Sequence, residues 1–358
     1  MSVHSSKRDH GHRRRHSRRR RMRSWLRHNK KLLIWAGVLV CLILAGAGIW
    51  LAQIQKQQNE RHVTAGNSHD VGSGYRSIVC DGKEYRFNNL ITTILYAGVD
   101  SEGKMETSTT YTEAPRADSI ALVVLDKKHR KMTIIGINRD TMTEIRRYSL
   151  SGGDRGTYVN HLGYAYTFGD GGEVSCENLR EAVSNLFLGI PIDEYVVTNI
   201  TSLPYINQLA GGITVEVPND DLADLYPEMV KGASVTLDDT NVEPFLRYRD
   251  TTIDFSNEGR IERQQTYITA YIDVMKELLE KDLNGTWNKI LDMEDYLQTS
   301  ITRNKYITLA NLLNEISFDQ SGFCRLEGED KVGARYDEFH ADPDALQKLV
   351  IDLFYEEI

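Results

Sequence analysis

An α/β or α+β domain with a covered sheet, tethered behind a single N-terminal transmembrane helix, is the fold class that this sequence predicts. Three observations carry it. Short apolar runs of strand length alternate with helical patterns from residue 91 onward, as in a sheet flanked by helices. Leu32–Ala52 (LLIWAGVLVCLILAGAGIWLA) contains no charged residue. Charge is also sharply divided: thirteen of the 43 Lys/Arg but only one of the 51 Asp/Glu (Asp9) lie in residues 1–31, so the remainder is strongly acidic.

The apolar run defines the first boundary. A helix of about 20 residues spans roughly 30 Å, the thickness of a bilayer core. A signal peptide has a shorter apolar core of about 7–15 residues, so residues 32–53 are expected to be an uncleaved single span. The basic tail 1–31 flanks this span on one side only. The positive-inside rule then places the N-terminus in the cytoplasm and exports everything beyond residue 54. Beside a membrane, a basic arm of this kind reads as a topology signal in contact with anionic lipid, with no nucleic-acid partner expected. Four cysteines are present, Cys41 in the span and Cys80, Cys176 and Cys324 beyond it. One disulfide among the last three is compatible with export, the pair being left open, and their spacing does not suggest a zinc site.

Residues 54–87 form a polar stalk and the start of the folded region, expected to begin near Ile78. ITTILYAGV (91–99) has the apolar continuity of a strand buried on both faces. SIALVVLD (119–126) and KMTIIGIN (131–138) are joined by only KKHR, which implies a hairpin. DEYVVTNI (193–200) and GITVEVP (212–218) are further strand candidates. CENLREAVSNLF (176–187) and SLPYINQLAGG (202–212) read as helices, the second ending in a Gly pair. A long amphipathic helix is expected over about 259–281. Residues 285–358 form a mainly helical C-terminal extension with a weak strand near 322–326.

Charged residues gather at the strand ends. Asp100 closes the first strand, Arg116 and Asp118 open the second, and Arg139 and Asp140 follow the third. The hairpin places the start of the second strand beside the end of the third. If the first strand runs parallel to the third, Asp100 joins the same sheet edge, where α/β sheets bind ligands. The segment VEPFLRYRDTTIDFSNEGRIERQQ (242–265) adds Arg247, Arg249, Arg260 and Arg263. Read as a short strand, FLRYRD puts Arg247 and Arg249 on one face and turns Tyr248 into apolar packing. Asp254–Gly259 would form a turn, and Arg260, Arg263 and Gln264 share a face of the following helix. Arginines converging with carboxylates suit a phosphate ligand and a divalent metal. Arg263 is the member of this set best explained by a structural ion pair.

These residues resemble the LytR-CpsA-Psr proteins of Gram-positive cell walls. The matching pieces, in order, are ILYAGVD, RADSIALVVLD, IIGINRDT, NHLGYAYTFGDGG, LGIPIDEYVVTNI, LAGGITVEVP, and FLRYRDT followed by GRIERQQ. The resemblance covers about 88–281, giving a catalytic domain at 88–284. It implies a mixed central sheet with helices on both sides and an apolar pocket for a polyprenyl chain. It further implies a membrane-anchored phosphotransferase that moves a glycopolymer from an undecaprenyl-pyrophosphate carrier to peptidoglycan, with Mg²⁺. Asp100 and Asp118 resemble the metal-linked carboxylates. Arg139, Arg247, Arg249 and Arg260 resemble the pyrophosphate-binding arginines, with Gln264 nearby. Asp100, Asp118, Arg139 and Arg249 are the expected catalytic set. Arg116, Asp140, Arg247, Arg260 and Gln264 complete the expected substrate site. Three features depart from the family pattern: Tyr158 stands where a basic residue is common before the NH pair, Ala117 replaces a serine, and the loop between Asp100 and Arg116 is long and Thr-rich. A polyprenyl-pyrophosphate phosphohydrolase and a non-enzymatic lipid-phosphate-binding regulator or transcription attenuator are the competing readings.

Overall fold

The computed structural model describes residues 76–250, 256–333 and 335–358. The basic tail and the apolar run at 32–53 lie outside these residues. Among the described residues no helix is long and apolar enough to cross a membrane.

In chain order the fold begins with β1 (Ser77–Cys80), β2 (Lys83–Phe87), β3 (Ile91–Val99), β4 (Ala117–Asp126) and β5 (Lys131–Ile137). A second hairpin, β6 (Met142–Tyr148) and β7 (Asp154–His161), leads into α1 (Tyr164–Thr167), α2 (Glu173–Leu186) and β8 (Glu194–Asn199). Next come α3 (Ser202–Leu209), β9 (Ile213–Glu216), β10 (Ser234–Leu237), α4 (Val242–Arg247) and the long α5 (Ser256–Lys281). The C-terminal part holds α6 (Leu283–Leu291), β11 (Leu297–Thr299), α7 (Arg303–Glu315), β12 (Phe323–Arg325), β13 (Gly328–Val332), β14 (Asp337–Ala341), α8 (Pro343–Phe354) and β15 (Tyr355–Glu357).

Six strands build the central sheet in the order β11-β8-β3-β4-β5-β12. It is mixed: β3 runs antiparallel to β4 and parallel to β8, β4 antiparallel to β5, and β12 parallel to β5. Thus β3 and β5 point the same way, and their carboxyl ends share one edge with the start of β4. One face packs on α2 and α8 through Leu95, Leu122, Ile135, Leu179, Val183 and Phe354. Each fully buried leucine or isoleucine there contributes roughly 1.5–3 kcal/mol. The other face meets α7 and α5 through Ile134, Leu312, Ile316, Ile268 and Ile272. Helices therefore cover both faces.

Residues beyond 285 do more than extend the domain. Strands β11 and β12 are the two edges of the central sheet, while β15 pairs with β2 and α8 covers the main core. The expected strand at 322–326 is β12. The C-terminal region mixes strands with helices because the apolar edges of β5 and β8 need hydrogen-bonding partners.

The expectation for β3 needs correction. Ile91, Thr93, Leu95, Ala97 and Val99 are buried, but alternate positions from Thr92 to Gly98 are only half-buried. Tyr96 of β3 and Tyr271 of α5 keep accessible surface although burial pushes both phenols up. This face of β3 is thus less tightly covered than the face turned to α2 and α8.

The disulfide expectation also meets the structure: Cys80, Cys176 and Cys324 are all free thiols. Cys176 is fully buried, and burial raises its pKa, which keeps it as an inert thiol.

Candidate active site

The sheet edge begins with a break in the β3–β4 ladder. Gly98 pairs with Ser119 but Val99 pairs with Ala117, so Asp118 is the extra residue of a bulge. Bulges re-aim side chains and recur beside active sites. The next rung keeps the strands together: the Asp100 N–H donates to the Arg116 carbonyl (3.1 Å). Behind it, Ala117 N–H donates to the Gly163 carbonyl (3.1 Å), and Gly163 N–H donates to the Arg139 carbonyl (2.8 Å). Gly163 is required by this close approach: a Cβ there would lie 2.7 Å from the Ala117 carbonyl oxygen.

Four of the five expected edge charges close into an alternating ring. Arg139 Nη1 lies 2.7 Å from Asp118 Oδ1, and Arg116 Nε donates to the same oxygen at 3.0 Å. Arg116 Nη1 stands 3.8 Å from Asp140 Oδ1, and Arg139 Nε stands 3.6 Å from Asp140 Oδ2. Both close contacts of Asp118 fall on Oδ1. Burial opposes the charge of Arg116, but Asp118 and Asp140 outweigh it and raise the guanidinium pKa. Asp100 stands outside the ring, 58% exposed, with Arg247 Nη2 3.9 Å away.

The second wall departs from expectation. FLRYRD is not a strand: residues 242–247 form α4, and Tyr248 takes an extended conformation (φ −57°, ψ 135°) as its C-cap. Arg247 and Arg249 leave the end of a helix instead of sharing a strand face. Tyr248 does pack into the apolar cluster, as expected. The cause is tertiary. A helix end leaves carbonyls without intrahelical partners, and α5 supplies those partners. Arg263 Nε donates to the Phe245 carbonyl (2.9 Å) and its Nη2 donates to the Tyr248 carbonyl. Gln264 Nε2 donates to the Leu246 carbonyl (2.9 Å). Arg263 is fully buried and also pairs with Asp221 and Asn219. It is a structural arginine. Gln264, expected to meet substrate, commits its amide N–H to the same helix end.

Of the turn expected at 254–259, residues 256–259 are helical instead, since α5 already begins at Ser256; residues 254 and 255 lie outside the described residues. Its first turns carry Arg260, which links the two walls. Burial comes first, then the neighbouring Arg249, Arg139, Arg263 and Arg247, in lowering its pKa. The Arg260 Nη2 donates to Asn257 Oδ1 (2.6 Å), while its buried Nε has no hydrogen-bond partner among the described residues. Arg139 after β5, Arg247 and Arg249 at the end of α4 and Arg260 of α5 are thus near enough for their charges to repel, an arrangement that favours a bound anion.

Some site neighbours carry little sequence signal. Glu243 holds Arg247 (2.6 Å), Asn257 holds Arg260, and the Arg116 guanidinium lies 5.7 Å over the Tyr164 ring. Spacing along α4 (i, i+4) could have identified the first pair. The last depends on the approach of α1 to β4.

A sequence profile of the LytR_cpsA_psr family matches residues 53–353. A relative named polyisoprenyl-teichoic acid–peptidoglycan teichoic acid transferase TagU, from Bacillus cereus, is 24% identical over 295 residues, covering 78% of this chain and 88% of that protein. The enzyme of the same type named TagV, from Bacillus subtilis, is 26% identical over 322 residues, 88% of this chain and 74% of its own. The crystal structure of B. subtilis TagV shares the fold, with a TM-score of 0.54 over 74% of this chain and 96% of that chain at 23% identity.

Proposed function

Since the chain belongs to the LytR_cpsA_psr family, we propose that it is a glycopolymer transferase, moving a polymer from a polyprenyl-pyrophosphate carrier to peptidoglycan in cell-wall biogenesis. The relatives named as teichoic acid transferases support the reaction class. One observation carries the site: Arg139, Arg247 and Arg249, with the structural Arg263, gather around a half-buried Arg260 and, after burial, disfavour its charge, a setting that an anion would relieve. A pyrophosphate is the anion that such a set of rigid, bidentate donors recognises.

Asp100 and Asp118 are the residues that would hold Mg²⁺. Asp100 directly follows β3 and Asp118 is the bulged residue at the start of β4, Asp100 is largely exposed, and the close arginine contacts of Asp118 use only Oδ1. Among the described residues no cluster of three or more His, Cys, Asp or Glu could bind a metal. Two carboxylates with phosphate oxygens and water suit Mg²⁺, which dehydrates reluctantly. When bound, the ion neutralises phosphate charge.

The chain's own residues do the rest. Arg139, Arg247, Arg249 and Arg260 bind and orient the pyrophosphate, with Arg116 behind them fixed by the ring. The acceptor hydroxyl attacks the sugar-linked phosphorus, its proton passing to a ring carboxylate, Asp118 or Asp140. The bond to the bridging oxygen breaks, and the lipid phosphate leaves with its charge stabilised by guanidinium groups. Such transfer depends chiefly on positioning and electrostatics. The half-buried face of β3 around Tyr96, turned toward α5, is where the prenyl chain would lie. The run at 32–53 anchors the enzyme as a single span with the catalytic domain outside.

The test is transfer from a lipid-linked donor to peptidoglycan by the full-length protein. Asp100→Ala, Arg139→Ala and Arg249→Ala should each lower the rate at least about 100-fold with unchanged melting behaviour. Near-wild-type rates in all three would overturn the site. Release of free polymer at equal rates with and without peptidoglycan would identify a hydrolase.

A further inference from the structure

The hairpin β13–β14 is exposed along its first strand, from Gly328 to Val332. At its tip Val332 is 92% and Tyr336 58% exposed, with Arg335 exposed beside them. The hairpin is nonetheless attached to the active site through its backbone. Phe339 N–H donates to the Asp140 carbonyl (2.9 Å), and Phe339 bridges Thr141 in parallel register. His161 Nε2 lies 3.0 Å from the Asp337 carbonyl.

A line of rings connects the tip to the charged ring. Arg116 lies over Tyr164. Tyr164 meets the buried His161 edge-on, with centroids 5.9 Å apart and planes at 87°. His161 meets Tyr336 in the same way, at 6.2 Å and 82°. The series begins at the phosphate-side arginine and ends on an exposed aromatic ring.

We infer that Tyr336, presented by this hairpin, is the stacking platform for a sugar ring of the acceptor glycan strand, with Arg335 free to meet carboxylates of the peptides attached to it. The inference rests on the transfer reading above. Tyr336 is 58% exposed beyond its edge-on contact with His161, and backbone groups at Gly333, Asp337 and Phe339 also hold the hairpin. Tyrosine offers a flat apolar face at low rotamer cost, which suits the C–H face of a sugar. A lipid surface is disfavoured because Glu329, Asp330 and Lys331 adjoin the one valine. The backbone contact of Phe339 with Asp140 and the rings of His161 and Tyr164 tie the hairpin that presents Tyr336 to the strand end that carries the charged ring.

The experiment uses full-length protein in detergent with lipid-linked donor and purified peptidoglycan sacculi. Sacculus retention without donor, and KM for acceptor and donor, are measured for Tyr336→Ala, Tyr336→Trp and Arg249→Ala. Tyr336→Ala should weaken sacculus retention and raise the acceptor KM about fivefold, as loss of one aromatic contact implies, with donor KM within about twofold. Tyr336→Trp should restore both. Unchanged retention and acceptor KM in Tyr336→Ala overturn the proposal. So does a loss confined to binding of phosphatidylglycerol vesicles, which would make the tip a membrane contact. Failure of the transfer reading appears separately, as an active Arg249→Ala, because sacculus retention is read without donor.

Discussion

Arg260 and Arg263 are one turn apart on the same helix and have opposite relations to stability. Arg263 satisfies backbone carbonyls of α4 and pairs with Asp221. Replacing it with methionine leaves those acceptors and the carboxylate unpaired, and should cost about 3 kcal/mol. Denaturant unfolding would show the lowered midpoint, and a wild-type midpoint would refute its structural role. Arg260 is instead held among like charges with its Nε unsatisfied. Arg260→Gln should raise Tm by about 2–4 °C while weakening donor binding. Added pyrophosphate with Mg²⁺ should stabilise the wild type more than the variant, as ligand linkage requires. Thermal shift measurements with and without pyrophosphate read both effects, and a lower Tm for the variant would show that the arginine cluster does not strain the fold. The sequence marked both residues as one helix face. It singled out Arg263 for a structural ion pair, which Asp221 provides, but not the carbonyls of Phe245 and Tyr248 that Arg263 also holds, because those partners lie 15 or more residues away.

At the scale of elements, the strand ends were legible because hairpin geometry is local. A four-residue connection between β4 and β5 forces Arg116 and Asp118 beside Arg139 and Asp140, and the register agrees. FLRYRD was misread because alternation over six residues does not distinguish a strand from a short helix closed by α5. The bulge at Asp118 was not legible either, since one extra residue leaves no pattern in a single strand. Gly163 tests the geometry of this edge. Gly163→Ala drives a methyl against the Ala117 carbonyl and should cost about 1–3 kcal/mol, with transfer falling by more than stability alone explains. Equal activity per folded molecule would show that the β4 start tolerates movement.

For the molecule as a whole, the C-terminal 40 residues belong to the catalytic body. They supply β12 along β5, α8 over the main core and β15 beside β2. Truncating the chain after Phe318 should leave β5 as an open apolar edge and yield aggregated protein, read by soluble yield and gel filtration. A monodisperse, active truncation would return that region to the status of an appendage. By itself, the sequence determined the alternation of strands and helices, the helix read at 176–187 and observed at Glu173–Leu186, the hairpin and the convergence of charges on one sheet edge. Those features arise from periodicity and short connections, which neighbouring residues encode. Only the tertiary structure decided that 242–247 is helical, that Arg263 and Gln264 grip its end, that β11 and β12 close the sheet, and that β13–β14 reaches the transfer site. Each of these rests on hydrogen bonds or packing between segments distant in the chain, where the stabilising partner leaves no mark on the local sequence.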